Sequence, residues 1–348
     1  MITSIEFKSE HNRSKVFDKH HYISQHKPVA NTVAIIYTFS AYICGIILLF
    51  ASNPIFNVIG VCLTTHGLVF SAYLTHELMH GTIFKTRRWN SVFGNIMLWL
   101  NGGCFNGFKA LTLQHIAHHI DRVDVFTFEP IPKLQQLPNI ARQIILILEW
   151  LYFPIMGFWS RWHSVFSPFW NPERSKEKVN VVSILLLRIG IFSLVGAISF
   201  KALLLYFVAY LGMITVLRWA DAFQHTYEGF PPGIELPKRD RAHEETHTYS
   251  TLLSRRYPWL NVLLLNFGYH NAHHTIMKCP WHSLPKLNRE IEQPANVRYV
   301  SLKEQLIHYH RFRLTRFILG QGESVDGDRQ PTFEKFYGAH DVSFLFLY

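Results

Sequence analysis

Four stretches of the chain are apolar over enough residues to cross a hydrocarbon core of roughly 30 Å as helices of about 20 residues: Val29–Phe50, Ile55–Thr75, Val181–Ser199 and Ala202–Ala220. The connections, Ala51-Ser52-Asn53-Pro54 and the short stretch around Phe200-Lys201, are too tight for anything but antiparallel neighbours. The pattern therefore predicts two hairpins, each returning to the side on which it began. Two further apolar stretches, Val92–Phe108 and Ile144–Trp159, are interrupted by polar residues: Asn95, Asn101 and Asn106 in the first, Glu149 and Pro154 in the second. Such stretches read as interfacial or re-entrant helices. Arg188 falls inside the third span, where a long side chain is expected to snorkel toward the nearer interface. The expected architecture is an all-α integral membrane protein: four transmembrane helices in two hairpins, with interfacial helices and a cytoplasmic cap. Residues 1–28 form an N-terminal segment, 29–290 the membrane domain with its cap, and 291–348 a C-terminal tail.

Composition strengthens this reading. The 348 residues are 49% hydrophobic and 17% charged, against roughly 25% charged in an average soluble domain, so lipid is the solvent the chain is built for. The formal net charge of +10 flanks the apolar blocks instead of forming a nucleic-acid-reading stripe, which points to anionic headgroups and away from nucleic acid. Lys8, Arg13, Lys15, Lys19 and Lys27 precede the first span. Lys85, Arg87, Arg88, Lys109 and Arg122 follow the second, and Lys238, Arg239, Arg241, Arg255 and Arg256 follow the fourth. Because cytoplasmic loops collect Lys and Arg, both termini and the long middle segment are expected in the cytoplasm. The polar, His-rich start, Met1 to Lys27, has no apolar core of a cleaved secretory signal. Cys44, Cys62, Cys104 and Cys279 have no paired spacing, so neither a disulfide framework nor a thiolate metal site is expected.

The candidate chemistry lies in three histidine clusters just outside the predicted spans: His76-Glu77-Leu78-Met79-His80, His115-Ile116-Ala117-His118-His119 and His270-Asn271-Ala272-His273-His274. Residues three and four apart share a helix face, so each cluster presents its imidazoles together. Unpaired imidazoles packed side by side repel on protonation, whereas neutral imidazole bound to a cation avoids that cost. All three clusters fall on the same predicted side of the membrane. Eight imidazoles exceed the four that fill one tetrahedral zinc site, so two metal ions are implied. His225 joins them as a candidate ligand. It follows Asp221 by four residues at the end of the fourth span, where a helix would direct both inward under the clusters. His66 lies within the second span and is read equally as an interhelical hydrogen-bonding residue or part of a substrate channel.

In this order and placement the clusters H-x-x-x-H, H-x-x-H-H and H-x-x-H-H resemble the membrane fatty acid desaturase family, and Pro280-Trp281-His282-Ser283-Leu284-Pro285 resembles the stretch that follows its third box. The resemblance runs from about Val29 to about Leu287. It implies two iron ions, cycling between Fe2+ and Fe3+, ligated by His76, His80, His115, His118, His119, His270, His273 and His274, with His225 as the ninth ligand. Dioxygen is then the co-substrate and an acyl or other lipid chain the substrate. The family's acyl-CoA members carry an asparagine four residues before the ninth histidine, reaching a metal through water; here that position is Asp221, a possible partner one step removed from the metal. No segment resembles a fused electron carrier, so the resemblance implies a separate donor of ferredoxin or cytochrome b5 type on the basic face.

Other readings remain beside acyl desaturation. A membrane di-iron hydroxylase or ketolase acting on an alkane, lipid or carotenoid shares the ligand set. His76–His80 and His243–His247 both match the H-E-x-x-H pattern of zinc metalloproteases, but a single-zinc protease leaves the other two clusters without a purpose. A metal transporter would hold its ligands near the bilayer midplane, not at span ends. His243 and His247 lie in a strongly charged loop and are expected to face solvent.

Overall fold

The structure is a computed structural model describing residues 19–23, 25–125, 129–231, 233–291, 299–323, 334–340 and 345. The expectations placed on Lys8, Arg13 and Lys15, and on parts of the 291–348 tail, lie outside the described residues. The helices that frame the site are labelled in chain order: α1 Pro28–Leu49, α2 Pro54–His80, α3 Arg87–Asn101, α4 Phe108–Asp121, α5 Asn139–Trp150, α6 Ile155–Phe166, α7 Lys178–Ile198, α8 Phe200–Asp221, α9 Arg241–His247 and α10 His270–Thr275. Four helices, α1, α2, α8 and the run Pro172–Ile198 that contains α7, are long and apolar enough to cross a membrane. The chain is a multi-pass membrane protein. Most of the apolar side chains these helices leave exposed, such as Val33, Ile47, Val58, Leu186 and Leu194, belong against lipid.

Local chemistry sets the ends of α2. Asn53 accepts a hydrogen bond from the Ile55 N–H at 2.9 Å, and Pro54 occupies the first helical position, a pairing suited to a helix start. The helix runs five residues beyond the predicted Thr75 and stops where Gly81 adopts a left-handed φ of 72°. The first histidine cluster is thus the last turn of the span itself. Along α1 and α2 the contacts rise in one helix as they fall in the other: Tyr42 meets Gly67, Gly45 meets Thr64 and Leu48 meets Gly60. A Cβ on Gly45 would lie 2.6 Å from the Thr64 backbone nitrogen, the close approach on which helix pairs in lipid depend. Phe192 of α7 packs its ring on Tyr206 and Phe207 of α8 at 5.6 and 5.5 Å, and the Thr65 hydroxyl joins α2 to the Ala209 carbonyl of α8.

The interrupted apolar stretches are broken helices, and their polar residues make the breaks. Asn95 accepts from the Phe108 N–H at the start of α4 at 3.4 Å. Asn101 donates to Thr75 Oγ1 and accepts from the Gly103 N–H, and Asn106 accepts from Arg174. Helices α5 and α6 meet at 110°. At that corner Glu149 accepts from the Met156 N–H at 2.8 Å and from both terminal nitrogens of Arg218 at 3.1 Å. Arg188 lies within α7. Its guanidinium turns across to the Trp99 carbonyl at 2.7 Å and to Cys104, because the unpaired carbonyls at the end of α3 offer a nearer partner with favourable dipole.

The cap closes over the ends of α2 and α8. Asn31, at the start of α1, donates to the Ile83 carbonyl and accepts from the Trp281 indole at 3.0 Å, and the Trp281 N–H donates to Glu77 at 3.1 Å. The only sheet among the described residues is a parallel pair, Asp124–Val125 beside Gly229–Phe230. The tail folds back onto this face, where Gln321 donates to the Tyr227 carbonyl and Arg218 to the His340 carbonyl.

Candidate metal centre

All nine histidines predicted as ligands meet at the ends of α2 and α8. One group consists of His76 and His80 from α2, His115 and His119 from α4, and His273 from α10, their donor atoms all within 4.8 Å of one another. His118, His225 and His274 form a second such group, and His270 Nε2 lies 2.7 Å from His225 Nε2. All nine are buried. In the first group His80 and His115 approach through Nε2 at 2.9 Å, His115 and His119 at 3.2 Å, and His119 and His273 at 3.1 Å.

Hydrogen bonding among the rings cannot satisfy this arrangement. A neutral imidazole has one donor and one acceptor nitrogen, yet several Nε2 atoms converge while His80, His119, His270 and His273 have buried Nδ1 atoms, and His274 a buried Nε2, with no hydrogen-bond partner. A cation ligated by the converging Nε2 lone pairs accounts for their close approach and leaves each Nδ1 to carry the ring proton. Size agrees: nitrogens about 2.0–2.1 Å from a shared ion are roughly 3.0–3.4 Å apart, close to the spacings observed. The donor set of imidazoles without thiolate suits iron, and the residues fit a pair of such ions.

Electrostatics prepares the nitrogens. Burial, reinforced by neighbouring imidazoles, holds His115, His119, His225, His270 and His274 well below the usual histidine range and His273 down to about 3. These rings are neutral near pH 7, the form that ligates metal.

Three carboxylates contact the rings, and one of them, Glu244, also has an oxygen within 4.8 Å of donor atoms of His119 and His274. Asp124 lies 2.7 Å from His118 Nδ1, Glu244 3.0 Å from His274 Nδ1 and Glu77 3.3 Å from His76 Nδ1. Such contacts fix the tautomer and raise ligand basicity. The two-residue sheet holds Asp124 in place, its N–H donating to the Glu228 carbonyl. Glu244 is also held by the Arg122 guanidinium at 3.1 Å; burial pushes its carboxyl up, against that pull. Neither Asp124 nor Glu244 stood out in the sequence as part of the site. The available signal was the H-E-x-x-H of α9, in which the glutamate, not the histidines, faces the centre.

The remaining expectations divide. Helix α8 ends at Asp221, and His225 lies beyond it in a bridge to Thr248, so the two do not share a helix face. Asp221 is buried but belongs to none of the metal-binding groups among the described residues. His66 bridges Tyr37 and the Leu263 carbonyl, the interhelical reading. His243 and His247 are half-exposed, and their rings stack at 3.9 Å and 21°. The lone pairs that bind metal lie in the ring planes, so stacked rings do not aim them at a common ion. Glu77 is engaged by Thr82, Trp281 and His76, the role of a support and not of a free base.

Residues 52–304, which carry all nine histidines and the three carboxylates, match the sequence profile described as Fatty acid desaturase. The chain belongs to the fatty acid desaturase family. Among curated proteins, none matches it. Membership makes this desaturase-family chain a membrane oxidoreductase of the desaturase and hydroxylase type, with its buried histidines at the rim of the helix bundle.

Proposed function

We propose that the protein is an oxygen-dependent di-iron desaturase that introduces a carbon–carbon double bond into the acyl chain of a lipid. The observation that carries this reading is the convergence of nine buried imidazoles into adjoining groups, more donors than one ion accepts. His76, His80, His115, His119 and His273 would hold one iron, and His118, His225, His270 and His274 the other. When bound, the two ions supply the reduction of dioxygen to water that removes two hydrogens from adjacent methylenes. The chain's own part is to keep the imidazoles neutral, to hold their outer nitrogens on Asp124, Glu244 and Glu77, and to position the lipid. A misplacement of about 1 Å costs roughly a hundredfold in rate.

The overall reaction consumes two electrons, delivered singly by a separate ferredoxin- or cytochrome b5-type donor. We place the centre and both termini in the cytoplasm, because Lys85, Arg87, Arg88 and Arg122 surround this end of the bundle. We assign 29–290 as the membrane desaturase domain with its histidine-box cap, between a cytoplasmic N-terminal segment 1–28 and a cytoplasmic C-terminal tail 291–348. Expression in a host lacking the activity, followed by lipid mass spectrometry, tests the reaction. New unsaturation, with near two equivalents of iron per chain, is the expected result. An added oxygen would redirect the assignment to a hydroxylase or ketolase, and an iron-free active protein would overturn it.

A further inference from the structure

A file of aromatic rings leads from this centre to the surface. The His225 and Tyr227 rings lie 4.2 Å apart at 27°, Tyr227 and His243 6.0 Å apart at 23°, and His243 and His247 3.9 Å apart at 21°. The planes of each successive pair are therefore nearly parallel. The inner two residues are buried and the outer two half-exposed, so the file crosses the wall of the cap. Phe267 leads inward instead: it touches His76 at 4.9 Å and His270 at 5.4 Å and passes to buried Tyr73 at 4.6 Å.

Hydrogen bonds and an ion pair of the scaffold hold this file in place. His225 bridges Thr248, the Thr226 N–H donates to the His247 carbonyl at 3.0 Å, and the Tyr249 N–H to the Gln224 carbonyl at 2.8 Å. Asp240 caps α9 by accepting from the His243 N–H at 2.9 Å. Glu244 anchors the same helix to Arg122 and His274. Metal binding alone requires neither Tyr227, whose hydroxyl meets Thr248 Oγ1, nor the stacked pair.

We propose that His247, His243, Tyr227 and His225 form the route by which a protein one-electron carrier reduces the metal that His225 would hold. This rests on the di-iron reading above. A carrier protein cannot enter a buried centre, so its electron must cross the wall. A file of aromatic rings, whose π electrons are more readily polarised than σ bonds, couples donor and acceptor better than saturated side chains across the same gap. Each transfer oxidises the carrier by one electron and converts one ferric ion to ferrous. The rings mediate without changing oxidation state, and no bond or proton moves along them.

The test uses Thr246→Cys in a Cys44→Ala, Cys62→Ala background, labelled at the new thiol with a ruthenium photoreductant, so that no natural donor is needed. After iron loading and oxidation, flash photolysis reads the rate at which the electron reaches the ferric centre. Tyr227→Phe, which keeps the ring, should transfer within about twofold of the parent, while Tyr227→Leu and His243→Leu should slow roughly tenfold or more. Iron content should be unchanged in every variant, and reduction by dithionite, a small reductant not confined to one docking face, should change less than the flash rate. A parent-like flash rate in His243→Leu, or equal slowing with dithionite, would overturn the route. Should Tyr227→Leu fail to fold, half-exposed His243 carries the test alone. Absence of iron from the parent would instead defeat the di-iron reading, a separate outcome.

Discussion

The histidine boxes were legible in the sequence because their geometry is local: imidazoles three and four residues apart on one helix share a face. The carboxylates behind them were not, because their positions depend on tertiary contacts. Glu244 meets a histidine 30 residues away, and Asp124 depends on a strand pairing with Gly229. Yet these contacts decide how the ligand nitrogens are presented. Replacing either carboxylate, as Glu244→Gln or Asp124→Asn, should weaken iron binding by about 10–100-fold while leaving the helices intact. Competition of the purified protein against a graded chelator reads this directly. His243→Ala provides the contrast, since its ring stacks on His247 and should leave iron affinity unchanged. Equal losses at His243 and Glu244 would mean that α9 acts only as packing.

At the scale of elements, the spans follow from apolar length alone, and all four lie within a few residues of expectation. What length could not show is where the broken helices turn. Glu149 marked the α5–α6 stretch as unfit for a span, but its role depends on Arg218, 69 residues away, whose side chain is 7% exposed against 4% for Glu149. One carboxylate oxygen accepts from the start of α6 and the other from α8, so a single side chain fixes the corner and ties it to the helix that leads to His225. Removing one partner of a buried ion pair leaves the other charge uncompensated and costs about 3–5 kcal/mol. Glu149→Ala should lose stability in that range in denaturant titration of the detergent-solubilised protein. Glu149→Gln, which keeps an acceptor for the Met156 N–H, should lose less. A loss below about 1 kcal/mol for the alanine variant would show that the corner is held by its apolar contacts.

For the whole molecule, the metal centre and the fold are coupled through protons. The bundle gathers imidazoles from α2, α4, α10 and the segment after α8, so the ligands form only when the helices and cap are assembled. Without metal, burial favours their neutral forms, and His273 stays neutral down to about 3. An unfolded histidine takes up its proton near pH 6.5. Between those values the unfolded chain binds more protons than the folded one, so stability must fall as pH falls. The contribution is fully present above about pH 6.5 and is lost on the way down. Ordinary Asp and Glu titrate mostly below about pH 5, which leaves a window in which imidazoles dominate. Protein stripped by a chelator should therefore show a thermal midpoint that is nearly level above about pH 7 and drops steadily from there to about pH 5. Iron-loaded protein should hold its midpoint further into that window, because each proton must displace a metal bond, and then lose iron and stability together. A chelated protein with the same midpoint at both ends of the window would mean that its imidazoles are hydrated, and the buried centre would have to be abandoned.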